Sequence, residues 1–548
     1  MKQCTQCQSS FEITDKDRAF YQKMAVPEPT FCSICRSQRR MASGNQINLY
    51  KRRCDATGKQ IVSAYHQNTP LKVYEQDYWH SDKWDPLNYG RDFDFSRPFF
   101  EQWAQLAKEV PRPALHTDFQ FDENSEYTNY AGKNKNCYML FDSDYDWDCY
   151  YSLGVNKSKN CVDCYRLKEC ELCYECVDCT KCFSLYYSQD CDNCNSSAFL
   201  KNCVGCKNCF MCSNLKNKEY HIFNKPYDKE TFEKLMKSLS SHTELAKYFK
   251  DWHDFKIKFP QKYMHGVQNE NVIGDYLVYS KGAEYCYDSM ELWDCKYFTR
   301  AFGKAQDCMD CDECGDGIAR FYDVAFCGYN EQNLRHSMFC FSEASDLDYC
   351  FYTHYSKNCF GCIGLRHKQY CIFNKQYSKE EYEQLVPKII EHMKSTGEFG
   401  EFFPAQYSDF AYNETIAQEY FTLNKEGVES RGWRWLEKDK TEYQPATLQV
   451  PDNNHDVDNS ICGALLACED CGRNYKIIEQ ELKFYKNQGV PIPKKCFYCR
   501  HKNRFNLRNL RVLYGRKCDL CGVDIQTTYP VSRPEKIYCE KCYQESLT

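Results

Sequence analysis

A chain of 548 residues, 42% of them hydrophobic, is long enough for several domains that each bury a core. Its 40 cysteines would suit a secreted disulfide scaffold. The opening MKQCTQCQSS, however, has no apolar signal stretch, and no run of about 18 apolar residues offers a membrane span. The thiols are therefore expected to be reduced, in the cytoplasm, serving metal and packing. The formal charge of −6 conceals basic ends around an acidic middle: residues 1–60 carry +6, 461–548 carry +7, and 61–460 carry −19.

Residues 1–80 hold the first module. Cys4, Cys7, Cys32 and Cys35 follow C-x2-C-x24-C-x2-C and recur without a gap, 464 positions on, as Cys468, Cys471, Cys496 and Cys499. Phe20-Tyr21 recurs as Phe484-Tyr485, Arg36 as Arg500, Arg40 as Arg504, and Cys54-Asp55 as Cys518-Asp519. Two C-x2-C knuckles supply four thiolates, which suits tetrahedral zinc with no open position. The C-terminal copy adds a second set, Cys518, Cys521, Cys539 and Cys542; the N-terminal copy has Cys54, Thr57, Glu75 and Tyr78 there. About three zinc ions per chain are expected. The decayed N-terminal site must be held by other contacts, expected from the domain that follows.

Residues 81–130 read as a helical connector. Phe99, Trp103, Leu106 and Ala107 fall at helical spacing, with Pro98 placed to start the helix and Pro111 to stop it. Residues 131–225 and 271–375 are two cysteine-dense units, each followed by a helix. The segment 207–235 aligns without gaps to 357–385, an offset of 150. In the second copy Ser378 and Glu381 fit a capping box ahead of an apolar face at Tyr382, Leu385, Val386, Ile389 and Ile390. In the first, Phe232, Leu235, Met236 and Leu239 take that part. Residues 226–270 are then a helical linker, 376–460 a helix with a partial third repeat and linker, and 461–548 the C-terminal double zinc module.

In the first unit several cysteines stand 21 apart, Cys149 to Cys170 and Cys161 to Cys182 among them, and steps of 9 and 12 sum to that period. Short strand-like runs such as CYYSLGV, with Asn and Asp for corners, suggest a β-solenoid with a 21-residue coil and an internal cysteine ladder. Uneven spacings of 13, 19 and 22 predict uneven coils in the second unit. Metal clusters on the C-x2-C pairs, or disulfides, are the alternatives.

CEDCGRNYKIIEQELKFYKNQGVPIPKKCFYCR (468–500) resembles the probable zinc-ribbon family of short bacterial modules, and CTQCQSSFEITDKDRAFYQKMAVPEPTFCSICR (4–36) follows the same pattern, with Ala25 in place of Gly489. The whole chain resembles bacterial proteins that carry zinc ribbons around a Cys/Tyr-rich centre. The resemblance implies zinc and a treble-clef-like fold, and it implies no activity. The fold class expected is thus multidomain and mainly β with short helices, terminal treble-clef zinc-ribbon modules flanking a Cys-rich, β-solenoid-like duplicated middle.

No catalytic set is visible. There is no H-E-x-x-H, G-x-x-x-x-G-K-[ST] or G-x-S-x-G. A catalytic zinc keeps an open position, whereas all three sets are thiolate only. His221, His336, His354 and His367 read as packed or surface residues. DSDYDWD (142–148) and DNNHDVD (452–458) lack the glycine and terminal glutamate of an EF-hand. The strongest constellation is basic. Arg36, Arg39 and Arg40 share a face of the helix that the second knuckle opens, as do Arg500, Arg504 and Arg508. Such arginines suit phosphates, and Tyr50, Tyr498 and Phe505 would suit base stacking. Alternatively they neutralise thiolates and bridge to the acidic middle. The expectation is a non-enzymatic zinc-binding scaffold with a protein partner and no membrane. The alternatives are an RNA- or DNA-binding factor using those arginines, or an enzyme whose site lies in a groove with clustered carboxylates.

Overall fold

A computed structural model describes residues 1–547 except 302, 313–314, 316, 326–327, 329–330, 341–342 and 438–442. The described residues form many short strands in several sheets, with twelve α-helices of up to 17 residues. The architecture is therefore mixed, where mainly β with short helices was expected. The reason lies in the middle, whose straight runs are too short to register as long strands. Among the described residues no helix is long and apolar enough to cross a membrane.

From Asn136 to Asn224 nearly every third residue takes a left-handed backbone, for example Asp142 (φ 53°), Arg166 (φ 57°) and Asp178 (φ 52°). Each left-handed residue turns the chain, so each straight run is two residues long. Four such three-residue steps separate each short strand from the one it pairs with. Tyr138 pairs in parallel with Tyr150, Tyr165 with Val177, Phe183 with Asn195 and Phe210 with Ile222, each 12 residues on. One residue in three is buried in a common cluster, from Cys161, Cys164 and Leu167 through Cys170, Cys173 and Cys176 to Cys212. The expected 21-residue coil is thus corrected to 12. With buried positions three apart, separations of 9, 12 and 21 all join buried sites, and only the 12-residue step joins stacked ones. Asn and Asp tolerate the left-handed corners best, yet Tyr130, Tyr151 and Tyr187 also occupy them.

The second ladder is uneven, as its spacings predicted. Its step is 11 at Ile273–Glu284, 13 at Leu292–Ala305 and Met309–Tyr322, and 12 again at Ser345–Lys357. The two ladders lie side by side and run in opposite senses. Asp142 pairs with Arg300, Arg166 with Asp288 at 3.5 Å, and Asp190 accepts from Tyr276 Oη at 2.8 Å. As one number rises its partner's falls.

The end modules do not sit at the tips of an elongated middle. The helix Ser33–Met41 packs on the second ladder at Met309–Asp312 and Tyr322–Ala325, and Phe497–Phe505 packs on the first at Tyr150–Leu153 and Tyr165–Lys168. These two knuckle helices thus each dock on the more distant ladder, while the strand Asp524–Thr527 of the C-terminal module also meets the nearer one at Ile273–Val278. The connector helix Phe99–Glu109 buries Phe99, Phe100, Trp103, Ala104, Leu106 and Ala107, the expected face, in a core with Tyr349, Phe351 and Phe403. The helix Lys379–Ser395 starts with the expected capping box, Ser378 N donating to Glu381 at 2.9 Å and Glu381 N to Ser378 Oγ at 3.2 Å.

Candidate functional site

The twelve expected ligand cysteines gather into three groups of four, and in each group all sulfurs lie within 4.8 Å of one another. Cys7 and Cys32 Sγ are 3.7 Å apart, Cys471 and Cys496 3.7 Å, and Cys521 and Cys539 3.8 Å. Four sulfurs at about 2.3 Å from one ion would stand about 3.8 Å apart, so the groups fit a tetrahedral ion of that size. The knuckle backbone also favours thiolate. Cys32 N donates to Cys4 Sγ and Cys539 N to Cys518 Sγ, both at 3.3 Å. Although burial opposes it, such N–H donors bring Cys518 down to about 6 and Cys468 to about 7.

The ladder cysteines are arranged differently. Their sulfurs donate to carbonyl oxygens: Cys161 to Lys159 O at 3.2 Å, Cys164 to Val162 O at 3.3 Å, and Cys176 to Leu185 O at 3.2 Å. A donor must keep its proton, and burial pushes Cys137 and Cys149 up to about 12, whereas hydrogen bonds from Cys173 and Cys182 draw Cys170 down to about 4. The cysteines from Cys137 to Cys212 are free thiols, and among the described residues no ladder sulfurs converge as the three terminal groups do.

At the decayed site the knuckle survives without its ligands. Glu75 N donates to Cys54 Sγ at 3.2 Å, and Asp55 accepts from Val73 N at 2.7 Å as Asp519 does from Ile537 N at 2.6 Å. Tyr65, Leu71 and Val73 pack there with Ala114, Leu115 and Phe410, contacts supplied by later segments as expected.

The six arginines are placed inward, with side chains no more than 7% exposed. Arg36 pairs with Asp310; Arg40 pairs with Asp323, and with Asp312 at 2.8 Å; Arg39 lies 3.3 Å from Asp323. Arg500 and Arg504 each lie 3.0 Å from Asp163, with Glu175 3.2 Å from Arg504, and Arg508 lies 2.8 Å from Asp178. The wiring is duplicated: Arg36 lies 5.5 Å from the Tyr297 ring centre and Arg500 4.7 Å from that of Tyr151. These groups are therefore not offered to phosphates at the surface, and Asp163, Glu175, Asp178, Asp310 and Asp323, which hold them, stand at left-handed corners.

His336 is packed between Tyr349, with rings stacked at 5.0 Å, and Tyr322, while His221 meets the Glu219 carbonyl at 2.7 Å. In 452–458, Asp452 accepts from Ser241 and Thr243 at the start of a helix, a capping role. The other two histidines and part of 142–148 meet in a place the sequence did not mark.

That place is a cleft of about 1050 Å³. Trp79 and His80 line it from the decayed module, Trp84 from the connector just after it, His116, Asp118, Lys133, Asp144 and Tyr145 from the start of the first ladder, and Tyr352, His354, Arg366 and His367 from the end of the second. His116 Nε2 and Tyr352 Oη, 2.5 Å apart, tie the two ladders at its floor. Burial pushes Asp144 up to about 7, with Asp122 adding to it, and Asp122 to about 6; it also raises Asp118. Burial holds His80 down to about 4, and His116 and His354 to about 3, so these rings are neutral near pH 7. Gly132 separates two of the carboxylates: a side chain there would strike Asp118 Cβ at 2.6 Å and meet Asp144 Oδ1 at 3.4 Å. The signal in the sequence was the series Asp118, Gly132, Asp144, which only the ladder register brings together.

No family model matches the chain, and no curated protein matches it. Among solved structures it is similar, over 41% of its length at 9% identity and a TM-score of 0.11, to a crystal structure from Desulfovibrio desulfuricans G20 proposed to be an acetyltransferase. It spans 66% of that chain's length. At that TM-score the likeness defines no shared fold.

Proposed function

We propose that the chain is a zinc-stapled binding scaffold of a reducing, cytoplasmic compartment. In this reading two β-solenoid units are cross-clamped by terminal zinc ribbons of the treble-clef kind, and the cleft between the units is the working surface. The observation that carries it is the duplicated clamp, Arg36 on Asp310 and Arg500 on Asp163, which commits the zinc modules' arginines to holding the molecule together. Four thiolates per site leave no open position for substrate, so the metal's part is structural and its binding is coupled to folding of the modules. The test is binding of single-stranded RNA by the intact protein at physiological salt. The scaffold reading expects no salt-dependent binding below micromolar. Tight binding that is lost when Arg36, Arg40, Arg500 and Arg504 are all changed to Gln would favour the nucleic-acid alternative.

One observation favours a second reading, an enzyme. Asp118 and Asp144 are clustered carboxylates of the cleft, as this alternative requires, and Asp144, held up to about 7, lies in the range of a general acid. Turnover of any compound bound in the cleft, abolished by Asp144→Asn with binding retained, is its test.

A further inference from the structure

The cleft reaches the top of the range of about 300–1,000 Å³ usual for small-molecule sites, so its occupant is larger than a single ring. Its charge excludes a polyanion: Asp82, Asp85, Asp118, Asp142 and Asp144 face the same space as Lys133, Arg366 and Lys368, a surplus of carboxylates rather than of the cations that cradle phosphates. Its two indoles are no cage for a polycation either, since Arg366 covers the faces of Trp79 and Trp84, 5.3 and 5.6 Å from their ring centres, and Asp142 is already paired with Arg300. What remains is an uncharged, polar oligomer. The neutral histidines donate at one ring nitrogen and accept at the other, and the carboxyl groups accept or, when protonated, donate. Hydroxyl groups match that mixed demand because each does both.

The rim supplies the other half. Phe121 is 62% exposed, and Tyr145 and Tyr355 are each 46% exposed, so each keeps an open face, with Lys133 on one side of Tyr145 at 4.8 Å and of Phe121 at 6.0 Å from the ring centres. Tyr355 is backed by His367, stacked at 4.8 Å and 9°, which fixes the ring and leaves its other face free. Flat, open faces suit the C–H faces of pyranose rings, whereas peptide side chains call for pockets.

We propose that the cleft binds a neutral oligosaccharide, with sugar faces on Phe121, Tyr145 and Tyr355 and hydroxyl groups on Asp118, Asp144 and His80. The decayed module then gains a purpose: with its second metal site gone, the segment after Glu75 became the wall that carries Trp79 and His80. The proposal rests on the scaffold reading and names its ligand.

The test is calorimetric titration of the full-length, zinc-loaded protein with cellohexaose, xylohexaose, maltohexaose and chitohexaose, alongside polyuridylate and spermine. At least one neutral hexasaccharide should bind with Kd below about 1 mM. The triple variant Phe121→Ala, Tyr145→Ala, Tyr355→Ala should weaken that binding at least tenfold while melting within a few degrees of the parent, because these rings lie at the rim. Asp144→Ala, a single change beside the rim, should weaken it as well. The proposal is overturned if none of the four sugars binds, if only polyuridylate or spermine binds, or if the triple variant binds like the parent. Zinc content and melting of the same samples separate the two ideas: a folded, three-zinc protein that ignores sugars loses only the ligand class, and a folded protein without zinc loses the scaffold reading.

Discussion

Arg500 Nη1 lies 3.0 Å from Asp163 Oδ2 with both side chains buried, and Arg504 reaches the other oxygen of the same carboxylate at 3.0 Å. One aspartate thus answers two guanidinium groups of the helix Phe497–Phe505. Asp310 does the same for Arg36 and, at 3.9 Å, for Arg40. Removing one partner of a buried ion pair strands the other charge, at a cost of about 3–5 kcal/mol, whereas an exposed pair is worth about 0–1 kcal/mol. Asp163→Asn and Asp310→Asn should each destabilise on the larger scale in urea or guanidinium unfolding. Glu123→Gln, which removes an exposed pair with Lys135, should stay within about 1 kcal/mol of the parent. Equal losses in the buried and exposed variants would show that the modules are held by something other than this clamp.

Metal dependence should be unequal between the two ends. Cys496→Ser removes one ligand from a complete set, so elemental analysis should fall from about three zinc ions to about two and the C-terminal module should lose its fold. Cys54→Ser should keep all three ions. Its neighbours Thr57, Glu75 and Tyr78 complete no thiolate site, and a serine oxygen can accept the Glu75 N–H that Cys54 Sγ accepts at 3.2 Å. A loss of zinc in the Cys54 variant would reveal ligands outside the three groups.

The three four-cysteine groups were legible because each pair of cysteines is local: two residues separate Cys4 from Cys7, and the partner knuckle repeats the spacing. The connector helix was legible for a similar reason, since Phe99, Trp103 and Leu106 mark one face without reference to anything distant. The arginine faces were visible and their targets were not. Asp163 and Asp310 lie in different ladders, and nothing local says that each module crosses to the far one. The coil length was misread because Cys149 and Cys170 both point into the core, 21 residues apart, without being stacked. The cleft needed three non-local facts at once: the ladder register that aligns Asp118 with Asp144, the opposite running of the two ladders, and the docking of Trp79 against them.

Buried histidines set one arm of the pH dependence. His336 is held down to about 3 by burial, with Arg335 and Arg39 acting in the same sense and Asp323 against them. The unfolded chain therefore binds a proton on this residue below about pH 6.5 while the folded chain does not, so stability falls as pH falls from there towards 3. His336→Phe, which keeps a ring between Tyr322 and Tyr349, should reduce the slope of stability against pH by about one proton between pH 4 and 6. Glu481 has the opposite sign. Raised to about 7 by burial against the pull of Arg500, it favours the folded state below about 4.5, and that contribution is lost as pH rises to 7. Glu481→Gln should remove that loss. Unfolding curves at a series of pH values, compared across the parent and both variants, check both signs.

The last prediction separates the two kinds of cysteine. Inward serines of the first ladder already do what its cysteines do: Ser152 Oγ donates to Tyr150 O at 2.9 Å and accepts from Cys164 N at 2.9 Å. A serine at Cys164 would donate to the Val162 carbonyl that Cys164 Sγ now reaches at 3.3 Å. Cys164→Ser should therefore keep about three zinc ions and lose only about 1 kcal/mol, the usual scale for a small change of volume at a buried site. The same substitution at Cys468 should lose a metal, because its sulfur accepts backbone N–H groups from Cys496 and Cys471 and converges with three others. Thiol-reactive probes give a second readout. Native protein stripped of metal should label at the twelve terminal positions first, and the free thiols of the first ladder, being buried, should label only on unfolding. If Cys164→Ser instead releases metal, or if the ladder labels as fast as the stripped ends, the ladder sulfurs are ligands and the packed column of thiols is wrong.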